Sequence, residues 1–212
     1  MSDEPDRNEV SGFDRGLAEV SERSRGYSPP KLRSRFVHLR ALVPEDYGYL
    51  QLLETSGPIA PLWRLRGRTP SPQEWAQSQA AQVLAQFVIV SNKDGRRIGL
   101  VNAYQANHQD GHVQVAALQF DPESRSPLVL FGFGLFIEYL FRCWPFHKVY
   151  LYVAEYSYPR FASGIDRFFV LEGRLHEHLY LDGQRWDQLI LAIYRSTWES
   201  HPKRFLYFGE AG

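Results

Sequence analysis

One segment constrains this chain more than any other. Between residues 128 and 143, Phe131, Leu135, Ile137, Tyr139, Leu140 and Phe141 recur at helical spacing with few polar neighbours. A helix that is apolar around most of its circumference must be covered on more than one side, as it is when it lies against a sheet. The segments before it change period. Phe87-Val88-Ile89-Val90 is a strand run, Lys93-Asp94-Gly95-Arg96 reads as a hairpin turn, and residues 98–104 and 112–120 read as two more strands. The helix itself is not a membrane span: the apolar run over residues 127–141 is broken by Gly132, Gly134 and Glu138 and stays below the ~18 residues a span requires.

The flanking elements follow from local signals. Residues 36–42 make a strand, and Pro44-Glu45-Asp46 opens a helix through Leu50, Leu53 and Glu54, with proline and two acids at its positive end. Ser71-Pro72-Gln73-Glu74 is a capping-box start, and the spacing carries that helix to residue 85 or 86. Residues 121–127 form a polar loop, Pro145 ends the apolar helix, and residues 147–155 alternate as a strand. A short helix is expected over 159–169, then strands over 171–181 and 186–194 around Asp182-Gly183. The order β-α-α-β-β-β-α-β-α-β-β describes an α/β fold with a mixed sheet and helices on its faces.

Residues 1–34 read as a flexible segment, because charged residues dominate and only Phe13, Leu17 and Val20 could line a short helix. The folded body is expected over 35–199, followed by an aromatic tail over 200–212 that carries Phe205, Tyr207 and Phe208. The 15% aromatic content predicts an aromatic-lined core or pocket. Twenty-four basic residues balance twenty-four acidic ones, which argues against wholesale electrostatic binding of nucleic acid or anionic membrane and leaves only a local basic patch open. One cysteine, Cys143, rules out a disulfide framework and a thiolate-rich metal site, and its place on the apolar helix predicts a small core residue. The first residues show no basic n-region and no hydrophobic h-region, which predicts a cytoplasmic protein.

Several motifs resemble one family. Leu39-Arg40-Ala41-Leu42-Val43-Pro44-Glu45-Asp46 is similar to the opening strand and helix of GCN5-related N-acetyltransferases, in the branch that acetylates ribosomal proteins. Glu138-Tyr139-Leu140-Phe141-Arg142-Cys143-Trp144 resembles the end of that family's central helix. Phe168-Phe169-Val170-Leu171-Glu172-Gly173-Arg174-Leu175-His176-Glu177-His178, with Asp182-Gly183-Gln184-Arg185-Trp186-Asp187 after it, is the most specific match. The resemblance implies a mixed, mostly antiparallel sheet of about seven strands flanked by helices. It also implies transfer of an acyl group, acetyl above all, from a thioester such as acyl-CoA to an amine of a small molecule or peptide.

That family holds the donor's pyrophosphate on a glycine-rich loop at a helix N-terminus, which here aligns with Ser124, Arg125, Ser126, Pro127, Leu128 and Val129. Consecutive backbone N–H groups do the work in such a loop. Pro127 removes one of them and Val129 adds a branched side chain, so the match departs from the pattern here. The family's catalytic acid position aligns with Ala116 or Ala117, and its usual asparagine with Ser157. The departures leave room for an acyl carrier protein or an aminoacyl-tRNA as donor, or for a non-catalytic binding subunit.

The candidate roles divide accordingly. Gln119 and Phe120 would bind a pantetheine arm through their backbone, with Ser124, Arg125, Ser126 and Leu128 around the phosphates. Glu155 is either a general base or a solvated strand end; Tyr156 and Ser157 are candidate acids, against tyrosines simply packed in a half-buried sheet. Trp63, Arg64 and Arg66 lie where the family's acceptor binds, and would take an anionic acceptor or remain a solvated loop. His112 and His178 are candidate bases or substrate contacts, or else plain strand histidines. His176 and His178 share a strand face but lack a third ligand, so no metal is expected. Glu172, Gly173 and Asp187 read as structural, and the aromatic tail suits a homodimer contact.

Overall fold

Among the described residues the chain forms seven strands: β1 (Val37–Ala41), β2 (Val83–Ser91), β3 (Arg97–Asn107), β4 (His112–Gln119), β5 (Lys148–Ala154), β6 (Val170–Leu181) and β7 (Gln184–Tyr194). They form one sheet in the order β1-β2-β3-β4-β5-β7-β6, in which β4 and β5 are the parallel pair. The computed structural model describes residues 30–56, 59–121, 123, 124, 126–160 and 167–201. Contacts divide the chain into residues 1–30 and 31–212, and the fold described here belongs to the second unit. The N-terminal leader and the aromatic tail of the sequence reading lie almost wholly outside the described residues.

Among the described residues four helices accompany the sheet: α1 (Pro44–Ser56), α2 (Pro72–Ala80), α3 (Leu128–Cys143) and α4 (Arg195–Ser200), with a 3-10 turn over Glu155–Arg160. The capping box that opens α2 is complete: the Ser71 hydroxyl accepts from Glu74 N–H, and the Glu74 carboxylate accepts from Ser71 N–H. That helix stops at Ala80, well before residue 85. Gln82 takes a left-handed φ of 59°, and Val83, Ala85 and Gln86 then pair with β3. Strand pairing outweighs helical spacing over those residues.

Helix α3 keeps the predicted bounds and buries Phe133, Leu135, Phe136, Ile137, Leu140 and Phe141. It lies very close to the sheet at one point: a Cβ on Gly132 would stand 2.6 Å from Cγ2 of Ile89. The expected aromatic core is present as a chain of ring contacts from Phe87 through Phe136, Tyr139 and Trp144 to Phe146. Cys143 corrects the sequence reading, for it is exposed. The chain leaves the helix at Trp144, and Phe146 rather than Cys143 enters the core.

The helix expected over 159–169 is also absent where described: Glu155–Arg160 form the 3-10 turn, and residues 161–166 lie outside the described residues. Glu172 is a bulge in β6, since Leu171 opposes Leu191 and Gly173 opposes Ile190. No described helix is long and apolar enough to cross a membrane.

Candidate active site

The site begins where pairing ends. Strands β4 and β5 pair only at His112, Val113 and Gln114 with Lys148, Val149 and Tyr150. Beyond that point β5 stays paired to β7 as far as Ala154, and β4 stays paired to β3 as far as Gln119. The two strands therefore diverge, and among the described residues each keeps an unpaired edge facing the other. Phe120 N–H donates to Ile98 O at 3.1 Å, on the β3 side. Backbone groups alternate sides along a strand, so Val115, Ala117 and Gln119 turn theirs into the gap. A row of unmet donors and acceptors of this kind binds an extended chain that carries amides.

The gap opens into a cavity of about 670 Å³. Its walls include Val115 to Gln119 from β4, Leu151 to Ala154 from β5, Phe133 from α3, Tyr156 and Ser157 from the 3-10 turn, and Trp63 and Arg66 from the loop after α1. Burial pushes the Tyr156 phenol above its ordinary pKa, while the Arg66 charge pulls the other way. The phenol stays protonated at neutral pH, as a proton donor to a departing thiolate must. Its ring is braced edge-on against Trp186.

At the open end, the loop after β4 satisfies itself. Gln119 Nε2 donates to Asp121 O at 2.5 Å and to Ser124 O at 2.7 Å. Ser126 N–H reaches the Ser124 hydroxyl, and Leu128 N–H reaches the Ser126 hydroxyl. Pro127 is the N-cap of α3 and makes no side-chain cap. Val129 is buried, and its Cγ2 points toward Gly99, where an added Cβ would lie 3.3 Å away. Its side chain is thus accommodated by a glycine on β3.

The loop over residues 59–68 is held by a carboxylate that the sequence reading did not single out. Glu54 is fully buried and accepts from Trp63 Nε1 at 3.1 Å, Arg64 Nε at 3.2 Å and Trp75 Nε1 at 2.9 Å. Arg64 also gives Nη1 to Ser78 O. Asp46, Leu50 and Glu54 are the buried residues of α1, one turn apart. An acid on the apolar stripe of a helix was the available signal, and two indoles and an arginine nearby were its candidate partners.

The structure brings Trp63, Arg66, Gln119, Ser124, Ser126, Tyr156 and Ser157 to the main cavity. Phe120 and Leu128 line a second cavity of about 540 Å³ beside the loop after β4, with Arg96 and Arg97. Phe120 cannot offer its N–H to a donor arm, because Ile98 already holds it. Arg125 lies outside the described residues. Arg64 is committed to Glu54. Glu155 is not a cavity residue; it pairs with Arg174 at 2.9 Å on the exposed side of β6. His112 sits at the closed end of the gap, edge-on to Tyr150, and His178 is exposed on β6.

His176 and Arg174 face Asp187, which also accepts from Glu177 N–H and so holds a strained turn of β6 at a φ of 48°. Among the described residues, no three histidine, cysteine or acidic side chains gather as metal ligands.

No protein-family model matches this sequence, and no curated protein matches it. Solved structures do resemble it. The spermidine N-acetyltransferase from Vibrio cholerae, in a crystal structure with CoA and spermine, shares 21% identity with a TM-score of 0.65, over 77% of this chain and 98% of that one. A probable acetyltransferase of the GNAT family from Chromobacterium violaceum shares 17% identity with a TM-score of 0.63, over 82% of this chain and 91% of that one. Identities this low speak to architecture. With its seven-stranded sheet parting between β4 and β5, this chain has the fold of the GCN5-related N-acetyltransferases.

Proposed function

We propose that the protein is an N-acyltransferase that lays the pantetheine arm of an acyl thioester, acyl-CoA first, along the unpaired edge of β4 and passes the acyl group to an amine. One observation carries this reading: the pairing of β4 and β5 stops after Gln114 and Tyr150, and a cavity opens on the freed edge. The amide groups of the arm would complete the ladder that β5 abandons. The motifs quoted above resemble those of the ribosomal-protein-acetylating branch, a likeness that bears on the scaffold and leaves the acceptor as an amine of a small molecule or a peptide.

The reaction balances with the residues at hand. The amine lone pair attacks the thioester carbonyl carbon, a C–N bond forms, and the collapse of the tetrahedral adduct breaks the C–S bond. The thiolate takes the Tyr156 proton, the amine passes its surplus proton to water, and water returns a proton to the phenolate. An N–H of β4 turned into the gap would polarise the carbonyl oxygen. Glu155 has no part in this scheme, because Arg174 holds it outside the cavity. Ser157 stands beside Tyr156 as the alternative proton donor.

A specific observation favours a second reading of the donor. The loop after β4 spends its N–H groups on Ser124 and Ser126 hydroxyls, and Asp121 and Glu123 lie beside it. A donor that lacks a nucleotide diphosphate, such as a pantetheine thioester on an acyl carrier protein, would forfeit little there.

Melting curves with coenzyme A test the main reading. Ligand at about a hundred times its Kd stabilises the folded state by about 2.7 kcal/mol. For a chain of this size that shifts Tm by roughly 5–10 °C. No shift at millimolar coenzyme A, together with a shift on adding an acyl carrier thioester, would move the assignment to the second donor. No shift with either removes the enzymatic reading.

A further inference from the structure

We infer that the acceptor is an amine bearing a carboxylate and an apolar body, as in a hydrophobic α-amino acid, and that Arg66 receives the carboxylate. The inference rests on the acyltransfer reading above and names its second substrate.

Among the described residues, the charged ones of the cavity wall are Arg66 and Glu123. Glu123 belongs to the loop after β4, at the donor's outer end. Arg66 lines the same cavity as Tyr156 and Ser157, at the proposed reaction end, and its charge opposes the upward push on the Tyr156 phenol. Among the described residues no carboxylate of the wall offsets it there, and the same wall carries Ile59, Leu62, Trp63, Tyr152 and Leu179. A polyamine carries several ammonium groups, and each would lose water in this cavity without an anionic partner. A single carboxylate next to a branched or aromatic side chain meets both properties of the wall: one guanidinium fork and an apolar surround.

Arg66 is free for this task because its neighbours are not. Arg64 is tied to Glu54 and Ser78, and Arg68 is not part of the cavity wall. Among the described residues the Arg66 guanidinium makes no hydrogen bond or ion pair. Arg66 is exposed, but the backbone from which its side chain leaves is held. Arg66 N–H donates to Trp63 O at 3.0 Å and Gly67 N–H to Ala60 O at 3.2 Å. Both residues adopt left-handed conformations, with φ of 52° and 82°. Glycine does so without cost, but arginine does so against its preference, and such a residue persists where the surroundings impose it. Glu54 imposes it here by anchoring Trp63 and Arg64 from below.

The test measures initial rates with acetyl-CoA, following the released thiol. It compares leucine, phenylalanine and tryptophan with isopentylamine, 2-phenylethylamine and tryptamine, which differ only in lacking the carboxylate, and with spermidine. A melting curve with coenzyme A accompanies each protein. The expected result is a kcat/KM at least about tenfold higher for the best amino acid than for its decarboxylated partner, the size of one charge-assisted contact. Arg66→Gln should bring that ratio close to one while KM for acetyl-CoA holds, and Arg66→Lys should restore part of it. Equal rates for the matched pair, or spermidine as the best acceptor, overturn the inference while leaving acyl transfer standing. So does an Arg66→Gln protein whose defect lies in KM for acetyl-CoA. Should coenzyme A leave Tm unchanged and no amine be acetylated, the acyltransfer reading fails and takes the inference with it.

Discussion

Two acids on α1 show how single residues decide what surrounds the cavity. Asp46 accepts from Arg40 through both of its oxygens, from Arg97 at 3.2 Å and from Val43 N–H. The Arg40 hydrogen bond, above all, holds its carboxyl down to about 2, against an opposing push from burial. A carboxyl depressed in the folded state contributes stability that is complete above its unfolded pKa of about 3.9 and is lost as the pH falls through that value toward 2. The contribution is about 2 kcal/mol, so Asp46→Asn should cost about that much at pH 7 and little at pH 2, as read by urea unfolding. Tyr156→Phe tests the proton donor: kcat should fall by roughly a hundredfold, with KM for acetyl-CoA little changed. That loss should shrink for thioesters whose thiols are more acidic, since they leave without help. In the sequence Asp46 reads only as an acid at the positive end of a helix and Glu54 only as an acid on its apolar stripe; their partners come into view once the strand and loop that pair with them are in place.

Element type was legible wherever one local signal ruled alone. The apolar period of α3, the capping box of α2 and the Asp182-Gly183 turn of the last hairpin all stand as expected. Where two signals competed, tertiary pairing won: Val83 to Gln86 continue a helical pattern yet join β2, opposite β3. Helix α4 was missed because Arg195 acts at long range. Its guanidinium donates to Phe141 O, Trp144 O and Phe146 O, which closes the C-terminal end of α3. The contact between α3 and β2 gives the sharpest test at this scale. Gly132→Ala improves helix propensity by about 1 kcal/mol. Yet its new methyl meets Ile89 Cγ2 at 2.6 Å, inside contact distance. Overpacking of this kind costs about 1–3 kcal/mol. Net destabilisation in a urea melt is expected, with the clash itself relieved by the added Ile89→Ala change, which removes the γ carbons that valine would keep.

For the molecule as a whole, the sheet order mattered more than any motif. The residue pattern reads as a sheet with helices on its faces, but residue types do not show where β4 and β5 part. That parting depends on β5 following β7 and β4 following β3 in different directions. Charge placement was likewise visible only in three dimensions, with Glu155 drawn off to Arg174 and Arg66 left in the cavity wall. The direct measurement of the central idea is amide hydrogen exchange along β4, with and without coenzyme A. The account predicts slower exchange at Val115, Ala117 and Gln119, whose N–H groups face the gap. Phe120, already bonded to Ile98, should stay unchanged. Uniform exchange at the three gap-facing amides in saturating coenzyme A would contradict it.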